Sequence, residues 1–320
     1  MKLPSFLFKK ESNFEKQIQP YAIFTPDRKS VRLAPTQKIF QKRELKYISA
    51  GIQARVYKIE NQNWVVKEGR WDLELNLFGG TKLPLPAQFA EKTMNLFSSS
   101  FLPTVNEILR QYKGYLKFLQ YFGYFTSKEE YYHPNFDLIV NAQKNIRETL
   151  YIHKEALETY YGVKFNSNID EILRSDVKYH NFVPKEYLLI GQGISKENER
   201  KTTFFIIQEF VEGQLLHDLD PKKLEPPIQR QLALMLYLIL LMNYQIHIVP
   251  DTRPRYPILQ INNWLTKTDN IIVNNQQIKF IDTRWFWDYN ANPIKRGLII
   301  PDMILNLTKT YINVLLNELD

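Results

Sequence analysis

Cysteine is absent from all 320 residues, which removes disulfides, thiolate zinc sites and cysteine nucleophiles together. Histidine is scarce, and none of the five is paired at metal-ligand spacing, which argues against a zinc enzyme. Long apolar runs are missing as well. Leu3 to Phe8 is too short for a signal peptide and is ended by Lys9, Lys10 and Glu11. The most apolar segment, Leu232 to Met242, is too short to cross a bilayer. Together these absences predict a cytoplasmic protein without a membrane partner.

What is present is ordinary globular material. With 44% apolar and 24% charged residues, the chain can bury a sizeable core, as one large domain or two lobes. The excess of 42 Lys and Arg over 34 Asp and Glu gives +8, a mildly basic surface compatible with a nucleotide, a nucleic acid or an anionic membrane. The basic residues are scattered, and no clustered basic and aromatic motif supports RNA binding.

Residues 1–40 are rich in Lys, Gln and Pro and lack periodicity, so they read as an N-terminal extension that packs on the body or stays loose. Order is expected from near Arg43, as three consecutive antiparallel strands with turns at Gly51 and at Asn61-Gln62-Asn63. From Trp71 to about Lys178 the pattern turns helical. Thr104 and Glu107 form a capping-box signature ahead of one apolar face. A second amphipathic helix is expected from Leu138 to Tyr161, carrying His153 as a core or surface residue, and a third from Ile169 to about Val177. Strands Glu186 to Ile190 and Thr202 to Phe210 follow. Pro226 and Pro227 then open a helix that is apolar nearly all round and is expected to be buried. Pro301 opens a closing helix.

Between these helices, Asp269 to Trp287 reads as two β-branched strands, Ile271 to Val273 and Ile278 to Ile281, joined by an Asn-Gln turn. Asn270 opens this hairpin and Asp282 closes it. One carboxamide and one carboxylate are a suitable protein share of a magnesium shell, which keeps waters and substrate phosphates for its other positions.

Several stretches resemble the protein-kinase-like superfamily, and they occur in its order. Ser49, Ala50, Gly51, Ile52, Gln53, Ala54, Arg55, Val56, Tyr57 and Lys58 resemble the phosphate loop, with Ser49 and Ala54 standing where the family has its outer glycines. Val65, Val66 and Lys67 resemble the strand that carries the phosphate-pairing lysine. Ile206 to Gly213, with Glu209 and Val211, resembles the hinge whose backbone would bond the adenine edge. Ile246 to Pro254 resembles the catalytic loop, with Asp251 at the catalytic aspartate and Arg253 at the lysine. Asn270 and Asp282 match the two metal ligands, though Thr283 and Arg284 replace the usual Phe-Gly.

The resemblance implies an α+β, two-lobed protein-kinase-like fold, most similar to the aminoglycoside-phosphotransferase and other minimal groups. Its small lobe would span residues 41–213 with a large helical insertion at about 71–165, and a mainly helical large lobe with the metal-binding hairpin would span 214–320. It also implies ATP and Mg2+ as cofactors and a glutamate partner for Lys67, with Glu171 preferred and Glu155 second. Two alternatives stay open. Counting back from Asn270 puts Leu265 and Lys267 at the catalytic positions, which would remove the base. The resemblance accordingly implies a phosphotransferase acting on a small-molecule hydroxyl acceptor, or a pseudokinase that presents its helices to a protein partner.

Overall fold

The computed structural model describes residues 13–23, 33–41, 43–50, 54–70, 103–123, 135–163, 181–199, 201–220, 223–250, 270–274, 277–283 and 286–288. The architecture is mixed α+β. Contacts divide the chain into two compact units: Met1–Tyr112, Thr126–Phe136 and Lys185–Phe210 form the first, and Lys113–Phe125, Asp137–Pro184 and Val211–Asp320 form the second.

The first unit is built on strands β1 (Leu45–Ala50), β2 (Ala54–Ile59), β3 (Trp64–Gly69), β4 (Glu186–Gln192) and β5 (Thr202–Glu209). They form one antiparallel sheet in the order β1-β2-β3-β5-β4. Side chains alternate across a strand, so Ile59, Trp64, Val66, Phe205, Ile207, Tyr187 and Leu189 share one face. That face is covered by the N-terminal segment. Helices α1 (Asn13–Ile18) and α2 (Thr36–Gln41) lay Phe14, Ile18, Ile39 and Phe40 into the same core cluster. Each such fully buried side chain contributes about 1.5–3 kcal/mol.

The described part of the N-terminal extension therefore packs, and regular structure is already present at Asn13–Ile18, ahead of the expected start near Arg43. Lysine and glutamine mask its pattern, because only two apolar residues per helix turn inward. The segment also closes the outer edge of β4: Ile23 donates its amide to the Leu188 carbonyl and Ala34 to the Ile190 carbonyl, each at 2.7 Å. An edge paired in this way cannot recruit a foreign strand. Glu15 fastens α1 through an ion pair with Lys185 at 2.9 Å and a 3.2 Å hydrogen bond from the Tyr187 hydroxyl.

In the second unit the central element is α6 (Pro226–Ile246), opened by its two prolines as expected. Every residue from Gln231 to Asn243 is buried, so its all-round apolarity matches its place. Helix α3 (Pro103–Phe122) runs from one unit into the other, and α4 (Phe136–Ile152) and α5 (Lys154–Tyr161) follow it. The expected single helix from Leu138 to Tyr161 is two, because His153 adopts φ −93°, ψ 9° between them. Its imidazole lies edge-on to Tyr244, centroids 5.9 Å apart.

These helices depart from the expected small-lobe insertion. Residues 113–122 and α5 are grouped with the second unit, and their faces pack within it. Phe118 and Phe122 meet Phe280 edge-on at 5.1 and 5.0 Å. The Tyr161 hydroxyl donates to the Leu240 carbonyl at 3.2 Å and accepts from Asn243 Nδ2 at 2.7 Å. Amphipathic periodicity predicts that a helix has a partner but does not say which surface it meets.

Two small sheets complete the second unit. Strands β6 (Gln214–Leu215), β8 (Ile271–Val273) and β9 (Ile278–Phe280) form one, in the order β6-β8-β9. Strands β7 (Ile248–Pro250) and β10 (Phe286–Asp288) form the other. The outer edge of β9 is satisfied from α6, where Gln231 Oε1 accepts the buried Ile278 amide at 3.1 Å.

Candidate functional site

On the sheet face opposite the N-terminal helices, register brings Val56, Lys67 and Ile206 into one row, Val56 opposite Lys67 and Lys67 opposite Ile206. Lys67 is half-buried in mid-strand rather than a solvated strand-end lysine. The neighbouring row carries Lys58, Val65, Gln208 and Glu186. Gln208 Nε2 donates to Glu186 Oε1, and both side chains are buried, so this face sets polar groups among buried apolar ones such as Leu188, Phe204 and Ile206. Ser49 stands opposite Val56 at the exposed end of β1, just past a register shift.

β5 leads directly into the expected hinge. The Glu209 amide donates to the Lys185 carbonyl at 2.8 Å and the Phe210 amide to the Asn63 carbonyl at 3.0 Å. Both amides are therefore committed within the sheet, which narrows the expected adenine donor in 209–211 to the Val211 amide. Lys58 places its ammonium 3.8 Å from the centroid of the Phe210 ring, a cation–π contact that sequence reading missed. Three residues on, Gly213 has φ +156°, and a Cβ there would lie 2.4 Å from the Val273 carbonyl oxygen. Only glycine allows the chain to turn into β6 at this point.

In the second unit, the β8–β9 hairpin does what its sequence predicts. The Ile281 amide donates to the Asn270 carbonyl at 2.8 Å, so the residues preceding and following the strand pair are held side by side. Asp282 is the next residue and is half-buried. Beneath it, Phe280 is fully buried and donates its amide to the Phe182 carbonyl at 2.8 Å, while the Phe182 amide donates to the Phe122 carbonyl at 2.8 Å. Lys279 Nζ is buried against the Asn181 carbonyl. Asn270 and Asp282 carry hard oxygen donors at the same end of the hairpin, a donor set that fits magnesium, which takes few protein ligands. Among the described residues no cluster of three or more His, Asp or Glu competes as a metal cage.

Gly51, Glu171, Asp251 and Arg253 lie outside the described residues, as do Leu265 and Lys267 of the rival register. The second choice of glutamate, Glu155, is exposed on α5. The residue before Asp251 is described: Pro250 stands opposite Phe286, and Ile248 opposite Asp288, in the β7–β10 pair.

Sequence reading passed over Glu68. It is fully buried, and its Oε1 accepts the amides of Ile194 at 2.7 Å and Ser195 at 3.2 Å. Burial and then the Glu68 charge push the nearby Tyr57 phenol up. Strand alternation was the available signal, since it puts the residue after an outward Lys67 on the covered face. Its role is to hold the β4–β5 turn.

No helix among the described residues is long and apolar enough to cross a membrane. Compared with known proteins, the chain matches no family model, no curated protein and no solved structure.

Proposed function

We propose that this chain is a protein-kinase-like phosphotransferase that uses ATP and magnesium to phosphorylate a hydroxyl on a small molecule. The observation that carries the reading is the Val56–Lys67–Ile206 row. It puts β2, β3 and β5, the strands that carry the residues resembling the phosphate loop, the lysine strand and the hinge, side by side with these residues on one sheet face, which supports the reading. The strand order adds support, because β5 pairs with β3 although more than a hundred residues of chain separate them.

In this reading Lys67 pairs the ATP phosphates and the Val211 amide bonds the adenine edge. Asn270 and Asp282 hold the magnesium ion, which supplies charge neutralisation of the phosphates when bound. Asp251 orients the acceptor hydroxyl and takes its proton, and Arg253 faces the negative charge that builds up during transfer. The β7–β10 register supports Asp251 over Leu265. Pro250 lies opposite Phe286, four residues after Asp282, so a strand's width separates the chain entering Asp251 from the chain leaving Asp282.

ATP with magnesium should raise the melting temperature, and Asp251→Ala should keep that shift while abolishing phosphoryl transfer to acceptors. No shift at millimolar nucleotide removes the reading. A shift without ATP turnover on any acceptor or on water would make the chain a nucleotide-binding pseudokinase.

A further inference from the structure

The sheet of the first unit has two outer edges, and the chain treats them differently. The edge of β4 is closed by the amides of Ile23 and Ala34. The edge of β1 is bare among the described residues, since β1 pairs with β2 alone and ends the strand order. Unpaired amides and carbonyls along such an edge are a template for another strand.

Which groups it offers follows from one hydrogen bond. The Glu60 amide donates to the Glu44 carbonyl at 3.0 Å, and the next pairs are Leu45 with Ile59, Lys46 with Lys58 and Tyr47 with Tyr57. Bonded and non-bonded pairs alternate along antiparallel strands. Glu44 and Lys46 therefore turn their backbone groups towards β2, while Leu45 and Tyr47 turn theirs outward. A register shift between Tyr47 and Ser49 ends the regular edge there. Side chains alternate too, so the exposed Glu44 and Lys46 share one face and Leu45 and Tyr47 the other. Tyr47 remains 57% exposed although its ring meets Tyr57 edge-on at 5.9 Å.

We infer that β1 pairs antiparallel with β1 of a second copy of this chain, about a twofold axis, with Leu45 opposite the partner's Leu45. Outward backbone groups must meet outward groups, which leaves few symmetric registers. Setting Leu45 opposite the partner's Tyr47 puts Lys46 against the partner's Lys46, and like charges directly opposite destabilise a strand pair. Setting Tyr47 opposite the partner's Tyr47 runs into the irregular stretch and leaves Glu44 and Lys46 without opposite charges. With Leu45 opposite the partner's Leu45, Glu44 meets the partner's Lys46, twice by symmetry. The other face then gathers both Leu45 and both Tyr47 side chains. Opposite charges and apolar groups across a strand pair stabilise it, and an isologous contact closes as a dimer. The inference does not rest on the phosphotransferase reading.

Sedimentation equilibrium of the full chain, over a thousandfold range of concentration, tests it. The expected result is a reversible monomer–dimer equilibrium. Glu44 and Lys46 are exposed, so Glu44→Lys and Lys46→Glu should both fold. Each sets like charges opposite one another and should raise the dissociation constant roughly tenfold or more. The double variant, Glu44→Lys with Lys46→Glu, restores opposite charges and should dimerise like the wild-type chain. Leu138→Ser and Ile152→Ser, at exposed apolar positions of α4, should leave the equilibrium unchanged. A chain that stays monomeric throughout overturns the proposal. So does a dimer that persists in the single variants, is not restored in the double variant, or dissociates in the α4 variants.

Discussion

The Ile281 amide donates to the Asn270 carbonyl at 2.8 Å, which puts the carboxamide of Asn270 and the carboxylate of Asp282 at the same end of one hairpin. A ligand that binds only the folded state stabilises it by about 2.7 kcal/mol at a hundredfold excess over its dissociation constant. Asp282→Asn, which keeps shape and removes charge, should abolish most of the magnesium-dependent part of the ATP stabilisation. Calorimetry with and without magnesium reads this directly. An unchanged magnesium dependence would take Asp282 out of the metal site.

Phe280 supports that hairpin from below, packed edge-on to Phe118 and Phe122 and fully buried. Phe280→Ala should cost about 3–5 kcal/mol in urea unfolding, the usual range for emptying a buried aromatic site. Phe280→Leu should cost distinctly less. A loss below about 1 kcal/mol for the alanine variant would mean the aromatic contacts do not hold the hairpin.

Gly213 is the backbone hinge between β5 and β6. Its φ of +156°, with the Val273 carbonyl 2.4 Å from any Cβ, makes Gly213→Ala destabilising by more than the roughly 1 kcal/mol typical of incompatible glycine sites. Gly162, at φ +67° with open space around it, is the comparison. Gly162→Ala carries only the left-handed penalty of about 1–2 kcal/mol. Chemical denaturation of both variants should rank Gly213→Ala as the more damaging.

Burial pushes Tyr112, Tyr121 and Tyr161 up to about 12 from their ordinary value of 10, and it pushes Tyr237 further in the same direction. The unfolded chain loses these phenolic protons at lower pH than the folded protein does. Stability is therefore fully present below pH 10 and falls as pH rises through the folded values. Urea midpoints should be level on this account up to about pH 10 and decline towards pH 12. Tyr161→Phe should flatten part of that decline. A midpoint that stays constant to pH 12 would show these phenols to be solvated.

Local pattern was enough for much of this molecule. Alternation and turn residues place β2, β3, β4, β5 and the β8–β9 hairpin, and paired prolines with unbroken apolarity place α6 and its burial, because these signals need only neighbours along the chain. That Val56 and Lys67 share one face follows only from the β2–β3 register. What periodicity could not supply is which surfaces meet. The return of β5 to β3, the β7–β10 pair across the chain between Pro250 and Phe286, and the docking of Phe118 and Phe122 on Phe280 are long-range contacts, encoded by complementary shape rather than spacing. For the same reason Leu45 and Tyr47, unremarkable in sequence, become an open sheet edge only when β5 joins β3 on the side away from β1.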